Sequence, residues 1–119
     1  MSDELCWMTA ADLARAIARK KVSPVDVLDA VRARIEKLSA LNAYVTLDAG
    51  ARRAAKAAER ALTKRSAKLG PLHGVPFSVK DLVNTKGVRT TFGTPLKDSA
   101  ASATERRDPG SIALCSRPP

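Results

Sequence analysis

The sequence predicts an α/β fold, ordered helix, helix, strand, helix, strand over residues 9–80 and followed by a tail without regular period. Three observations carry this reading. Apolar residues recur at helical spacing behind clear start signals, the period breaks at "NAYVTL", and alternation with a spacing of two takes over at "GVPFSVK".

The first helix lies in "TAADLARAIARKK", where Thr9 stands three residues before Asp12, the spacing of a capping box, and Leu13, Ala14, Ile17 and Ala18 share one face. The second, "SPVDVLDAVRARIEKLSA", starts more strongly. Ser23 is an N-cap, Pro24 suits the first helical position, and Asp26 places negative charge at the positive end of the helix dipole. Leu28, Val31, Ile35 and Leu38 are its expected buried stripe. Tyr44, Val45 and Thr46 then read as a short strand. Asp48 can cap a third helix, whose face of Ala51, Ala54, Ala55, Ala58 and Leu62 permits close approach of a neighbour. Gly70, in a left-handed conformation, and Pro71 are expected to stop it. The second strand contains Val75, Phe77 and Val79 on one side and Pro76, Ser78 and Lys80 on the other.

A chain of 119 residues is one ordinary domain, but aromatic residues make up 3% and much of the 45% hydrophobic share is alanine, so the core is expected to be thin. The formal charge is +9. Between Asp48 and Leu69 stand Arg52, Arg53, Lys56, Arg60, Lys64, Arg65 and Lys68 against Asp48 and Glu59, so much of the excess belongs to one helix. No aromatic residues interleave with these charges for base stacking, which favours a solvated face over a nucleic-acid partner. Cys6 and Cys115 match no zinc or redox spacing. No apolar run reaches bilayer length and no secretory leader is visible, so a cytoplasmic protein is expected.

Lys80 is the residue with chemical potential. It ends a short strand that Pro76 restricts to an edge or a start, and sites in α/β sheets favour such ends. From spacing alone, a lysine there reads as a solvated surface residue with Asp81 as a charge partner. His73 reads as a loop hydrogen-bonding residue and Trp7 as a packing residue.

The runs "SPVDVLDAVRARIEKLSALNAYVTL" and "GPLHGVPFSVKDLVNTKGVRTTFGTPL" closely resemble the N-terminal portion of the amidase signature family, over residues 9–96. "LHGVPFSVKD" and "GVRTTFG" are its most specific parts. The resemblance implies the N-terminal helices and first strands of the amidase-signature fold, in an incomplete form, and a hydrolase with a Ser-cisSer-Lys triad acting on a small-molecule amide. It assigns the lysine role to Lys80 and calls for no cofactor and no metal. In the implied mechanism a neutral lysine draws a proton through a bridging serine, and a second serine attacks the amide carbonyl. Backbone N–H groups stabilise the oxyanion.

The glycine- and serine-rich signature that would carry both serines has no match in the 119 residues. Ser99, Ser102, Ser111 and Ser116 lack the flanking glycines, and Ser78 matches neither family serine. Residues 1–96 therefore read as the N-terminal part of an amidase-signature domain, and residues 97–119 as an irregular tail, disordered or frameshifted. The chain is expected to be inactive alone. Two other readings stand beside this one: a fragment of the A subunit of a tRNA-dependent amidotransferase, and a small basic protein that binds nucleic acid or a partner without catalysis.

Overall fold

The computed structural model describes residues 2–64, 68–85, 88–93 and 112–116, the last of these at the backbone alone. Among the described residues there are four α-helices, α1 (Ser2–Leu5), α2 (Ala10–Ala18), α3 (Pro24–Lys37) and α4 (Ala51–Ala61). Three strands form the sheet: β1 (Tyr44–Thr46), β2 (Pro76–Lys80) and β3 (Ile112–Ser116), in the order β1-β3-β2. The α/β class and the order of elements over residues 9–80 are as the sequence predicts.

The start signals act as expected. Thr9 accepts from the Asp12 amide at 3.1 Å and its hydroxyl donates to the Asp12 carboxylate at 2.7 Å, closing the capping box. The Ser23 hydroxyl oxygen accepts from Val25 N at 3.0 Å, and its O–H donates to Glu59 on α4, so the N-cap of α3 also ties the two helices together.

The core is built in two parts. Leu13 and Ile17 of α2 meet Val27 of α3 and Val75 at the approach to β2. Leu28, on the other flank of α3, packs on Ala51 and Ala55 of α4, where small side chains bring the helix axes close. Ile17, Val27 and Leu28 are fully buried, each contributing about 1.5–3 kcal/mol relative to exposure. The buried face of α3 is thus rotated from the expected stripe. Pro24, Val27, Leu28 and Ala30 are buried, Val31 and Ile35 are half-buried, and Leu38 is exposed. The cause is that α3 is wedged between α2 and α4, so its core face is centred between them. Val31, Ile35 and Leu38 instead border an open apolar groove of about 590 Å³ that also includes Leu41, Tyr44 and Leu47.

Four other expectations need correction. Asp48 does not cap α4 at its first turn: Gly50 is the N-cap residue, and the buried Asp48 closes a turn by accepting from Gly50 N at 2.8 Å. The helix ends at Ala61, well before Gly70, and the Thr63 hydroxyl donates to the Arg60 carbonyl at 2.7 Å. Gly70 is not left-handed; Gly74 is, with φ +78°. Trp7 is exposed and packs chiefly through the Arg34 guanidinium, 4.4 Å from its ring centroid, while Arg34 also pairs with Asp3 of α1 at 3.0 Å.

The tail differs most. Ile112–Ser116, expected to be irregular, forms β3 at the centre of the sheet, parallel to β2 and antiparallel to β1. Ile112, Ala113 and Leu114 are a continuous apolar run, as a central strand requires; β2 pairs with the strand along its whole length and β1 pairs with Cys115 and Ser116. Residues 97–111 and 117–119, also expected to be irregular, lie outside the described residues.

Candidate active site

Lys80 is the last residue of β2 and is exposed. In the parallel ladder it shares its register position with Ser116 of β3, so it stands at the carboxyl end of both strands. Ser78, two residues earlier on β2, is also exposed. Ser99, Ser102 and Ser111 lie outside the described residues.

The chain reaches this position through Gly74. A Cβ there would lie 2.8 Å from Cγ and 3.2 Å from Cβ of the buried Pro24, and 3.4 Å from Cγ2 of Ile17. Only glycine lets the backbone pass so close to α2 and α3 with a positive φ. Immediately before it, the His73 ring bonds the Ala58 carbonyl oxygen at 2.8 Å. A carbonyl can only accept, so Nε2 carries the proton. The loop role expected for His73 is the one the geometry shows, and it anchors the entry to β2 on α4.

Beyond Lys80 the chain turns, with Val83 N donating to the Lys80 carbonyl at 3.0 Å. Asp81 is fully buried. Its carboxyl group accepts from Thr91 N at 2.8 Å, from the Thr91 hydroxyl, and from Gly93 N at 3.3 Å. These bonds clamp the "TTFG" loop to the end of β2. Within the loop Phe92 has φ +54° and Gly93 φ +73°, so a bulky residue is held left-handed between two amides that Asp81 binds. Asp81, expected as a charge partner for Lys80, is buried, and its hydrogen bonds organise the loop beside the lysine. The signal was the pair of motifs "VKD" and "GVRTTFG", whose mutual contact no periodicity can reveal.

The site therefore presents one amine at an open strand end, with a fixed loop next to it and an apolar surface around it: Phe77 on the strand, and Leu82, Val83 and Phe92 on the turns, are all exposed. Phe77 was expected to share a covered face with Val75 and Val79. Val75 is buried and Val79 half-buried, but no described residue covers Phe77 to that extent.

A family model described as Amidase matches residues 26–106, which includes Lys80, Asp81 and the whole clamped loop. The chain belongs to the amidase family. Among its relatives, an acylamidase of Rhodococcus erythropolis is 36% identical over 102 residues, covering 82% of this chain and 21% of the relative. The glutamyl-tRNA(Gln) amidotransferase of Methylococcus capsulatus has a component that is 43% identical over 96 residues, covering 79% of this chain and 19% of the relative. A solved chain, from work on a vestigial protein complex and the origins of an s-triazine catabolic enzyme, superposes with a TM-score of 0.76 at 28% identity, covering 91% of this chain and 25% of that one. This amidase-family chain thus spans about a fifth of the length of the curated relatives it matches. Among the described residues no helix is long and apolar enough to cross a membrane.

Proposed function

We propose that Lys80 is the general-base lysine of a Ser-cisSer-Lys amide hydrolase, and that the 119-residue chain by itself does not turn over amides. The observation that carries the reading is the placement of Lys80 inside the family-matched segment, at a strand end whose flanking loop the buried Asp81 clamps. In the proposed reaction the Lys80 amine accepts a proton relayed from a nucleophilic serine. The serine oxygen forms a bond to the carbonyl carbon of a small-molecule amide, and the C–N bond breaks as the leaving amine is protonated. Water then releases the acid from the acyl-enzyme. The bridging and nucleophilic serines of that triad have no match in this sequence, which supports inactivity of the chain alone.

A fluorophosphonate probe and aryl amide substrates test the second half of the proposal. The purified chain is expected to show neither covalent labelling nor turnover. Labelling of any serine that Lys80→Ala abolishes would overturn it.

The 43% identity to a component of a glutamyl-tRNA(Gln) amidotransferase favours a second reading, in which the same lysine serves amide hydrolysis that feeds ammonia to an acceptor. Both readings give Lys80 the same proton-transfer role.

A further inference from the structure

The outer face of α4 carries charge that the fold leaves unused. Arg53, Lys56, Arg60 and Lys64 are all exposed, and among the described residues no carboxylate pairs with any of them. Of the acids near this face, Asp29 pairs with Arg52, and Glu59, the one acid on α4, accepts the Ser23 hydroxyl and forms no ion pair with the row. Arg53, Lys56 and Arg60 follow at helical intervals of three and four, so like charges stand one above another along about 10 Å of helix. Lys64 extends the row in the turn beyond. The first turn of α4 also opposes the dipole, since it holds Arg52 and Arg53 with no acid, and Gly50 offers no side-chain cap. Asp29 offsets Arg52 and Asp48 accepts from Gly50 N just before the helix, but among the described residues Arg53, Lys56, Arg60 and Lys64 have no such partner, and an unoffset row of charge is expected where a surface serves binding.

The opposite face of α4 determines what kind of binding. Ala51, Ala55 and Ala58 are buried, Ala51 and Ala55 against Leu28 of α3, so the helix is anchored and the backbone spacing of its outer row is fixed. The apolar face is not available to enter a membrane. The row itself lacks the apolar centre that a protein interface needs. Missing aromatic residues remove base stacking but leave backbone contact intact, and arginine suits phosphate geometry. We propose that the outer face of α4 binds the phosphodiester backbone of a nucleic-acid duplex, without reading its bases. This inference is independent of the amide chemistry assigned to Lys80.

Fluorescence anisotropy with labelled DNA and RNA duplexes of about 20 base pairs tests it on the 119-residue chain. Four phosphate contacts give a slope of log K against log salt of about −3.6 for B-DNA, a loss of roughly a hundredfold in affinity from 50 to 200 mM salt. The variant Arg53→Gln/Lys56→Gln/Arg60→Gln is expected to reduce the slope by about 2.7. Glutamine keeps a similar helix propensity, and circular dichroism checks the fold. The control Lys20→Gln/Lys21→Gln/Lys37→Gln removes the same charge elsewhere on the exposed surface and is expected to keep most of the slope. The duplex bound more tightly identifies which nucleic acid is the partner. The proposal is overturned if neither duplex binds at 50 mM salt, if the control loses as much as the α4 variant, or if polyglutamate competes as well as the duplex, since that would name an acidic protein surface.

Discussion

Gly74→Ala is expected to be among the most destabilising small substitutions in the chain. The new methyl group would sit 2.8 Å from the Pro24 ring and 3.4 Å from Ile17, at a residue whose φ is +78°. The left-handed conformation alone costs an L-residue about 1–2 kcal/mol. The Pro24 ring cannot rotate away, because it is fully buried in the first turn of α3, so overpacking adds roughly 1–3 kcal/mol. The sum, about 2–5 kcal/mol, is a large part of the 5–15 kcal/mol that holds a typical domain together. At about 2.1 cal/mol/K of unfolding entropy per residue, a chain of this length loses roughly 4 °C in Tm per kcal/mol, so the drop should be about 8–20 °C. Urea and thermal unfolding followed by circular dichroism measure it. Gly70→Ala is the internal control, since a Cβ there meets nothing within 4 Å and its φ is not positive. That variant should be neutral or gain up to about 1 kcal/mol through the unfolded state. A loss below about 1 kcal/mol at Gly74, or equal losses at both glycines, would refute the packing of the β2 approach against Pro24.

Three further outcomes follow from named contacts. Asp81→Asn turns one of the two acceptor oxygens into an NH₂, so either the Thr91 amide or the Gly93 amide loses its acceptor; it should cost about 1–3 kcal/mol and speed hydrogen exchange at one or both of those amides, and unchanged exchange at both would count against the clamp. The Asp12 carboxyl is held below its usual range first by the Thr9 hydroxyl and then by Arg15. Because the folded value is the lower one, this stabilisation is present above the unfolded value of Asp12 and is lost as pH falls through the folded value. Thr9→Ala should therefore raise the Asp12 titration midpoint in an NMR pH series, and an unmoved midpoint would contradict the assignment. The amides through which Ile112–Ser116 pairs with β2 should exchange slowly, as its five-residue parallel ladder requires; unprotected exchange throughout the stretch would remove β3 from the sheet.

Much of the helical part was legible because its signals are local. Thr9 and Ser23 cap as their spacing says, and Leu13, Ile17 and Leu28 are buried as periodicity says. The rotation of the α3 core face was not legible, since it depends on two partners, α2 and α4, that flank it at once. Strand β3 was hidden for a related reason. Taken alone, Ile112–Ser116 buries too little to offset about 1–2 kcal/mol per residue of backbone entropy, and only the open edges of β1 and β2 make its ordering favourable. At the candidate site, Lys80 and the loop role of His73 could be read from motif and context. The clamp from Asp81 to Thr91 and Gly93 could not, because it joins residues through a turn whose left-handed Phe92 no propensity scale favours.

The central claim is that Lys80 performs proton transfer in an amidase-family site, and a chimera tests it most directly. Residues 26–96 of this chain would replace the aligned stretch of the Rhodococcus erythropolis acylamidase, which supplies the rest of the polypeptide. Hydrolysis of an amide substrate of that enzyme is then compared with the Lys80→Ala chimera, with circular dichroism and melting confirming that both fold alike. The account predicts an active chimera whose kcat falls by about 10²–10⁴-fold on Lys80→Ala, the range lost with a general base. A folded Lys80→Ala chimera that retains its parent's kcat would contradict it.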